Sequence, residues 1–236
     1  MSRFQEESVS CPVCRQKSTQ SIATSLRISS KTDFKQQILS GKFQRFTCPN
    51  CTHSFHVDDP LVYLDFDQKI MITQFPKSWN SSWKEHEKVV THNFENYLAG
   101  KYAAPAAREM SKGFRLRTVF GLEALAEKIS CLESEIDDSL LSILKLQLIQ
   151  SVDEIPFHPG FIPLFKEIKE DELVFLCPVL NSEGKIEREI MTLPFPLALN
   201  EVNEQKELYE SLLETFHDAT YIDLGRLFFS ASTESI

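Results

Sequence analysis

The pattern of apolar and polar positions changes character twice along the chain. In its first third, β-branched and apolar residues occur in short runs that polar residues interrupt. "TQSIATSLRISS" is typical of an extended segment, and "LVYLDF" and "KIMITQF", separated by the polar "DQ", predict a β-hairpin whose two faces are both apolar and covered. Between these runs, "TDFKQQILSG" predicts one or two helical turns that end at Gly41.

The middle of the chain has the periodicity of helices. From residue 114 to residue 129, apolar side chains recur at helical spacing, and we expect Glu127 and Lys128 on the solvent side of that helix. "SLLSILKLQLIQ" is apolar nearly all round and predicts a helix buried between layers. We interpret the adjacent Asp137 and Asp138 as its solvated first turn.

The last third alternates strand and helix patterns. "DELVFLCPVL" and "KIEREIMTLPF" flank the turn signal "NSEG" and predict a hairpin, in which Pro178 indicates an edge strand or a bulge. "NEQKELYESLLETF" predicts an amphipathic helix with Leu208, Leu212 and Phe216 on its apolar face. We expect the tail, residues 231–236, to be disordered.

Composition excludes few classes of protein. No run of 18 apolar residues occurs, so we expect no membrane span, and the polar start "MSRFQEESVS" is not a signal peptide. We therefore expect a cytoplasmic chain, in which six cysteines should be reduced unless they bind metal or do redox chemistry.

Charge is spread unevenly. Residues 1–78 carry 10 Lys and Arg against 7 Asp and Glu, whereas the remainder carries 15 against 27, and the whole chain has a net charge of −9. Because non-specific nucleic-acid binding depends on neutralised phosphates, this balance disfavours nucleic acid as a partner. The basic and aromatic stretch "KFQRF", residues 42–46, keeps it as an alternative.

Four cysteines form a paired motif. "CPVC" at 11–14 and "CPNC" at 48–51 place Cys11, Cys14, Cys48 and Cys51 in the pattern C-x2-C-x33-C-x2-C. Two C-x2-C turns can supply four thiolates to one tetrahedral Zn²⁺, and a closed set of four leaves no open position for catalysis. We therefore predict one structural zinc. A redox pair, unrelated thiols, and a local site using His53 and His56 remain alternatives.

These residues also resemble a known family. "SCPVC", followed by "ILSGKFQRFTCPNCTHSFHVDDPLVYLDFDQKIMI", is similar to the CpXC domain of bacteria and archaea, which is named for its two C-P-x-C motifs. The resemblance covers roughly residues 9–150 and implies a zinc-binding domain, but it implies no common activity. In many zinc knuckles a glycine follows the second cysteine, where φ is often positive, whereas Arg15 and Thr52 stand at these positions.

Together these observations predict an α+β protein in three parts. Residues 1–78 form a β domain containing a zinc ribbon, residues 79–152 form a helical segment packing on it, and residues 153–236 form an α+β part with a β-hairpin and a helix. The chain has no nucleotide-binding or hydrolase motif, which favours a non-enzymatic adaptor that binds another protein. One alternative is a zinc-ribbon nucleic-acid binder. The other is an enzyme whose site combines distant residues such as His86 and His158.

Overall fold

The computed structural model of the protein describes residues 2–29, 32–204 and 206–231. They form two compact units, Met1–Leu125 and Ala126–Ile236. An N-terminal sheet, central helices, and C-terminal strands with helices confirm the predicted α+β class. The division into 1–78, 79–152 and 153–236 stays a prediction.

A five-stranded sheet organises the first unit. Its order is β1-β2-β5-β6-β7, in which β2 pairs with β5 and β6 with β7 in parallel, while the remaining neighbours are antiparallel. Strands β3 and β4 form a separate two-stranded hairpin. The strands of this unit are β1 Arg3–Ser10, β2 Lys17–Ile28, β3 Arg45–Thr47, β4 Ser54–His56, β5 Leu61–Asp65, β6 Ile70–Phe75 and β7 Arg115–Phe120.

The predicted hairpin between residues 61 and 75 is confirmed by strands β5 and β6. The carboxylate of Asp65 accepts hydrogen bonds from the backbone N–H groups of Asp67 and Gln68, each at 3.1 Å, and so closes the turn. All six residues of β6 are buried. A strand with β5 on one side and β7 on the other, apolar on both faces, is covered on both faces as the sequence predicted.

Helices of the first unit flank these strands. They are α1 Phe34–Leu39, α2 Trp83–Phe94 and α3 Pro105–Ser111, and α4 Leu122–Glu133 begins in this unit and continues in the second. Gly41, with φ of 67°, follows α1 and confirms the predicted stop. A π-helical turn at Glu95–Ala99 continues α2.

The predicted helix from 114 to 129 is wrong in its first half. Residues Arg115–Phe120 form β7, which pairs in parallel with β6, and a helix begins only at Leu122. Gly121 separates the two with φ of 90°, and its N–H donates to the carbonyl of Phe75 at 2.8 Å. Pairing with a buried strand outweighs the helical spacing, because Thr, Val and Phe also suit a strand.

A second, three-stranded antiparallel sheet organises the second unit, in the order β10-β9-β8. The elements of this unit are α5 Asp138–Ser151, β8 Leu164–Lys169, β9 Glu172–Leu180, β10 Ile186–Pro194, α6 Phe195–Glu204, α7 Lys206–Phe216 and α8 Gly225–Ala231. The hairpin predicted around "NSEG" is β9 and β10. Among the described residues, no helix is both long and apolar enough to cross a membrane.

The expectation that Pro178 marks an edge strand or a bulge is wrong, since β9 lies between β8 and β10 and pairs with β10 without a shift of register. Pro178 is tolerated because the pairing of β8 with β9 begins only at Leu164 and Leu176. Within the described residues, therefore, no strand lies beside Pro178 on that side, and the missing N–H of the proline costs no ladder hydrogen bond.

The core of the second unit confirms the buried helix predicted for "SLLSILKLQLIQ", since Leu141, Ile143, Leu144, Leu148 and Ile149 of α5 are all buried. Cys131 and Cys177 belong to the same core, as expected for small apolar side chains. The predicted apolar face of α7 is wrong at Leu208, which is exposed. Disorder was predicted for residues 231–236, but Ala231 is the last residue of α8, and residues 232–236 lie outside the described residues.

Candidate metal centre

The first knuckle lies in the turn between β1 and β2. The N–H of Cys11 donates to the carbonyl of Gln16 at 2.9 Å, and the N–H of Arg15 donates to the carbonyl of Cys11 at 3.0 Å. Arg15 has φ of 63°, in the left-handed region. This reversal lets the chain return past Cys14, so both thiols point to the same side of the turn.

The second knuckle, between β3 and β4, repeats this geometry. Cys48 N–H donates to the carbonyl of His53 at 2.9 Å, and Thr52 N–H donates to the carbonyl of Cys48 at 3.0 Å. Thr52 has φ of 57°. The positions where other knuckles carry glycine thus have positive φ in this chain as well, although they hold arginine and threonine. Two segments 37 positions apart therefore adopt the same turn.

The two knuckles bring four sulfur atoms together. The Sγ atoms of Cys11, Cys14, Cys48 and Cys51 all lie within 4.8 Å of one another. Cys11 and Cys51 are 3.6 Å apart, and Cys14 and Cys48 are 3.5 Å apart. These separations are well beyond the roughly 2.05 Å of a disulfide, and all four thiols are free. The cluster is a site at which four thiolates can hold one metal ion.

Backbone donors tune the thiols before any metal binds. The N–H of Gln16, and then the side chain of Asn50, lower the pKa of Cys14 to about 6. The N–H of His53 lowers the pKa of Cys51 in the same way, but the thiol of Cys14, burial and the thiols of Cys11 and Cys48 together outweigh it and raise that pKa to about 12. Each half-buried sulfur thus receives a backbone N–H from the residue two positions on, which suits a thiolate ligand.

The local site with histidines is not formed. His53 and His56 are exposed, and His56 Nδ1 lies 3.3 Å from the carbonyl oxygen of Phe43. Strands β2 and β4 follow the two knuckles. Neither knuckle therefore has the following helix that the redox alternative needs.

The stretch "KFQRF" does not offer a stacking surface. Phe43 is only 4% exposed, and Gln44 is buried, where its side chain accepts from the N–H of Ala23 and donates to the carbonyl of Val57. Phe46 is half-buried, which leaves Arg45 exposed without an exposed aromatic neighbour in the stretch. A single-strand-binding surface needs exposed aromatic rings, so this stretch does not provide one.

The structure also shows a cluster of buried charges that the sequence reasoning missed. Lys145 Nζ lies 2.7 Å from Glu127 Oε2 and 3.1 Å from Asp223 Oδ2. Glu127 Oε1 accepts the backbone N–H of Phe165 at 2.6 Å. Burial raises the pKa of Glu127, although Lys145 opposes this. These contacts join α4, α5, β8 and the segment before α8.

A second lysine continues this cluster. Lys128 Nζ lies 2.6 Å from Asp138 Oδ1 and 3.2 Å from the carbonyl of Ile222. The expected solvent exposure of Glu127 and Lys128 is therefore wrong. Asp137 is exposed and caps α5, accepting from the N–H groups of residues 139 and 140, whereas Asp138 is buried. The predicted solvated turn is thus correct for Asp137 alone.

One signal in the sequence could have located this cluster. Lys145 stands inside a helix that is apolar nearly all round, so its ammonium has no solvent-facing side to occupy. A buried lysine requires carboxylate partners. Glu127 is one of the few acidic residues within the run 114–129, where apolar side chains recur at helical spacing. Nothing comparable in the sequence marks the distant Asp223 as a second partner of Lys145.

The two histidines proposed for a distributed enzyme site lie in different settings. His86 stacks on Phe75, with ring centroids 4.3 Å apart, and on Trp79, at 5.3 Å. Burial in this stack lowers the pKa of His86. His158 Nδ1 accepts the backbone N–H of Gly160 and caps a short 3-10 turn. Both histidines therefore have structural roles in the described residues.

Comparison with known proteins agrees with the geometry of the knuckles. A family model described as "CpXC protein" matches residues 9–145, more than half of the chain, and the match includes all four clustered cysteines. Comparisons with curated proteins and with solved structures find no match. On this match, and with both C-P-x-C motifs converging on one site, the chain belongs to the CpXC family.

Proposed function

We propose that the four cysteines bind one structural Zn²⁺ and that the protein is a non-enzymatic adaptor of the bacterial cytoplasm, which binds another protein. The observation that carries the zinc assignment is the set of sulfur separations, from 3.5 Å up to 4.8 Å. A tetrahedron with Zn–S bonds of about 2.3 Å has edges of about 3.8 Å, within this range. Four protein ligands complete the coordination, so the ion supports the fold rather than a reaction.

Metal analysis tests this assignment directly. Protein purified without added zinc should contain one zinc per chain, and chelation should release four thiols to a thiol reagent. Cys48→Ser should lose the metal, whereas Cys177→Ala, at a buried cysteine outside the cluster, should retain it. A metal-free protein with a reversible disulfide among the four cysteines would contradict the zinc assignment and support the redox alternative.

The adaptor role is supported by exposed apolar side chains in the helical stretch 83–111 of the first unit. Tyr97 is 74% exposed and Tyr102 is 79% exposed, and Val89 and Met110 are also exposed in the same stretch. Tyrosine and methionine are enriched where proteins meet, because they offer a large contact area with few rotamers or an adaptable shape.

Cross-linking capture from lysate of the source cells tests the adaptor role. The wild-type chain should recover one or more proteins reproducibly, and the double variant Tyr97→Ser, Tyr102→Ser should lose them. Leu208→Ser is the matched control, because Leu208 is similarly exposed but lies in the second unit. Repeated recovery of no protein would contradict the role.

A further inference from the structure

Strand β10 is an edge of the second sheet, and all of its residues are exposed except Met191 and Leu193, which are half-buried. Among the described residues, β9 is its only strand neighbour. Ile186 and Ile190 on this strand are each 62% exposed, which is unusual for two large apolar side chains only four positions apart. On the same face of β9, Leu176 and Pro178 are half-buried. Arg188 lies between the two isoleucines on this face, so the outer face of this sheet is apolar apart from one arginine at its edge.

The hydrogen-bond pattern shows which backbone groups of β10 face away from β9. The N–H of Asn181 donates to the carbonyl of Lys185, and hydrogen-bonded and non-bonded pairs alternate along an antiparallel ladder. The pair Pro178 and Arg188 is then non-bonded, which agrees with the missing N–H of proline. The outward groups therefore belong to residues 186, 188, 190, 192 and 194, of which Pro194 offers only its carbonyl.

In the part of the chain that the structure describes, this edge stays open at the end of the strand. The N–H of Phe195 donates to the carbonyl of Asp171, in the turn between β8 and β9, so the chain bends back toward its own sheet after Pro194. Helix α6 thus starts on the side of β9. A regular strand of nine residues with outward donors and acceptors is a template for another strand.

We propose that β10 pairs with β10 of a second copy of the chain, antiparallel about a two-fold axis, and joins the two sheets into one of six strands. Ile190 is the middle residue of Ile186–Pro194, so in the longest register it lies on the axis, opposite Ile190 of the second copy. Arg188 then faces Thr192 of the second copy, and Ile186 faces Pro194. Every one of these pairs joins residues whose backbone groups face outward.

The length of the strand favours this register, and the charges of β10 disfavour the slips that move the axis toward Ile186. A slip that moves the axis to Glu189 places two glutamates directly opposite each other, and a slip to Arg188 places two arginines opposite each other. Like charges at opposed positions destabilise a strand pair. In the longest register Glu187 and Glu189 instead lie beside Leu193 and Met191 of the second copy. Charged residues that usually protect an edge strand thus disfavour part of the alternative alignments here.

The size of the contact sets the expected strength. One added strand buries less than the roughly 800 Å² per partner of a standard stable interface, so we expect a dissociation constant above about 1 μM. Sedimentation equilibrium of the full chain, zinc-loaded and in a non-chelating reductant, should then show dimer formation between about 1 μM and about 1 mM.

Two matched substitutions test the register. Ile190→Lys places two ammonium groups opposite each other and should weaken the dimer about tenfold or more. Ile186→Lys makes the same change of side chain at an equally exposed position on the same strand and the same face. Because position 186 lies opposite a proline of the second copy, this variant should weaken the dimer less than about threefold. A mixture of Ile190→Lys and Ile190→Glu chains should restore association as a heterodimer, although neither variant associates well alone.

Circular dichroism and hydrogen exchange of β9 establish that each variant is folded. A wild-type chain that stays monomeric throughout the concentration range overturns the proposal, and β10 would then be open to a strand of a different protein. Equal effects of Ile186→Lys and Ile190→Lys, or a mixture of the oppositely charged variants that does not associate, overturn the proposed register and with it the two-fold pairing.

Discussion

Lys145 Nζ lies 2.7 Å from Glu127 Oε2, and the side chains of these two residues are 2% and 5% exposed. Removing two charges from water costs free energy, which further hydrogen bonds of this pair offset. Lys145 also donates to Asp223, and Glu127 also accepts from the N–H of Phe165. The contacts tie helix α4 to helix α5 and to a segment nearly 80 residues later. These polar contacts fix which elements lie together inside an otherwise apolar core.

Replacing Lys145 with methionine should therefore destabilise the second unit. The substitution leaves Glu127 and Asp223 without their shared cation, and breaking a buried pair costs about 3–5 kcal/mol. Urea unfolding followed by hydrogen exchange of α5 measures the effect. Lys185→Met is the control, because the ion pair of Lys185 with Glu183 is exposed and should contribute less than about 1 kcal/mol. Equal losses in the two variants would contradict a structural role for the buried cluster.

The second unit should lose stability in acid through Asp223. Burial alone would raise the pKa of this carboxyl, but the Lys145 ammonium and the N–H of Gly225 hold its pKa below the usual value of 3.8. The unfolded chain then binds more protons than the folded one, so the contribution of Asp223 is present above pH 4 or so and is lost as pH falls through the folded pKa. Glu127, whose pKa is raised, has the opposite sign, because its contribution is lost as pH rises through its folded pKa.

Melting temperatures measured between about pH 2 and pH 7 check this expectation. The Asp223→Asn variant should be less stable than the wild-type chain at neutral pH and should depend less steeply on pH in acid. A wild-type chain and an Asp223→Asn variant with parallel acid profiles would show that other carboxylates cause the loss.

Removing the metal should unfold the region around the knuckles. The four sulfurs come from two turns that are distant in sequence, and binding energies of about 10–16 kcal/mol for structural zinc are available only to the folded arrangement. Addition of a strong chelator should abolish hydrogen-exchange protection in β3 and β4 and lower the first unfolding transition. Restoring zinc should reverse both changes. Unchanged melting in the chelated protein would contradict a structural metal.

Glycine at either left-handed position of the knuckles should stabilise the first unit. Arg15 and Thr52 have φ of 63° and 57°, which costs a residue with a Cβ about 1–2 kcal/mol. Part of this gain is lost to the greater freedom of glycine in the unfolded chain, so we expect each of Arg15→Gly and Thr52→Gly to add about 1 kcal/mol.

The reverse substitution serves as the control for this prediction. Gly41 also has positive φ, with open space around its Cβ position, so Gly41→Ala should lower stability through backbone strain alone. Denaturant midpoints of the three variants measure the differences. Destabilisation by Arg15→Gly would mean that a contact of the arginine side chain outweighs the strain.

Protonation of His86 should be visible in tryptophan fluorescence. Its pKa is lowered because it is desolvated in the stack with Phe75 and Trp79. A lowered pKa means that the contribution of neutral His86 is present above the unfolded value of about 6.5 and is lost as pH falls through the folded pKa. We expect quenching of Trp79 by the imidazolium with a midpoint below pH 6.5 or so. His86→Phe should remove this titration, and a titration that persists would come from another group.

The sequence predicts those parts of the fold in which local pattern and tertiary environment agree. The hairpin of β5 and β6, the buried helix α5 and the paired knuckles all follow from periodicity or spacing. Strand β7 was predicted as helix because its residues suit both states, and only the neighbouring β6 decides between them. Strand β8 was not predicted at all, since the short run "LFKEIK" has no clear alternation of its own.

The chemistry of the site was predictable to a similar extent. Four cysteines in two equal turns have few other uses, so their convergence follows from the sequence. The exposure predicted for Glu127 and Lys128 failed because a helical pattern gives the direction of a side chain but not what surrounds it. Asp223 could not be assigned to Lys145 because nothing local links two residues so far apart in the chain.

The position of the knuckles relative to the parallel strands has a consequence for how fast the first unit folds. Strands β2 and β5 pair in parallel, and the connection between them contains α1 and the β3–β4 hairpin. The chain must therefore lose the entropy of closing a long loop before the pairing of β2 with β5 stabilises it. A metal ion that joins the β1–β2 turn to that hairpin closes part of this loop in advance. The pairing of β2 with β5 then has a shorter loop to close, so we expect this pairing to form faster in the metal-bound chain than in the metal-free chain.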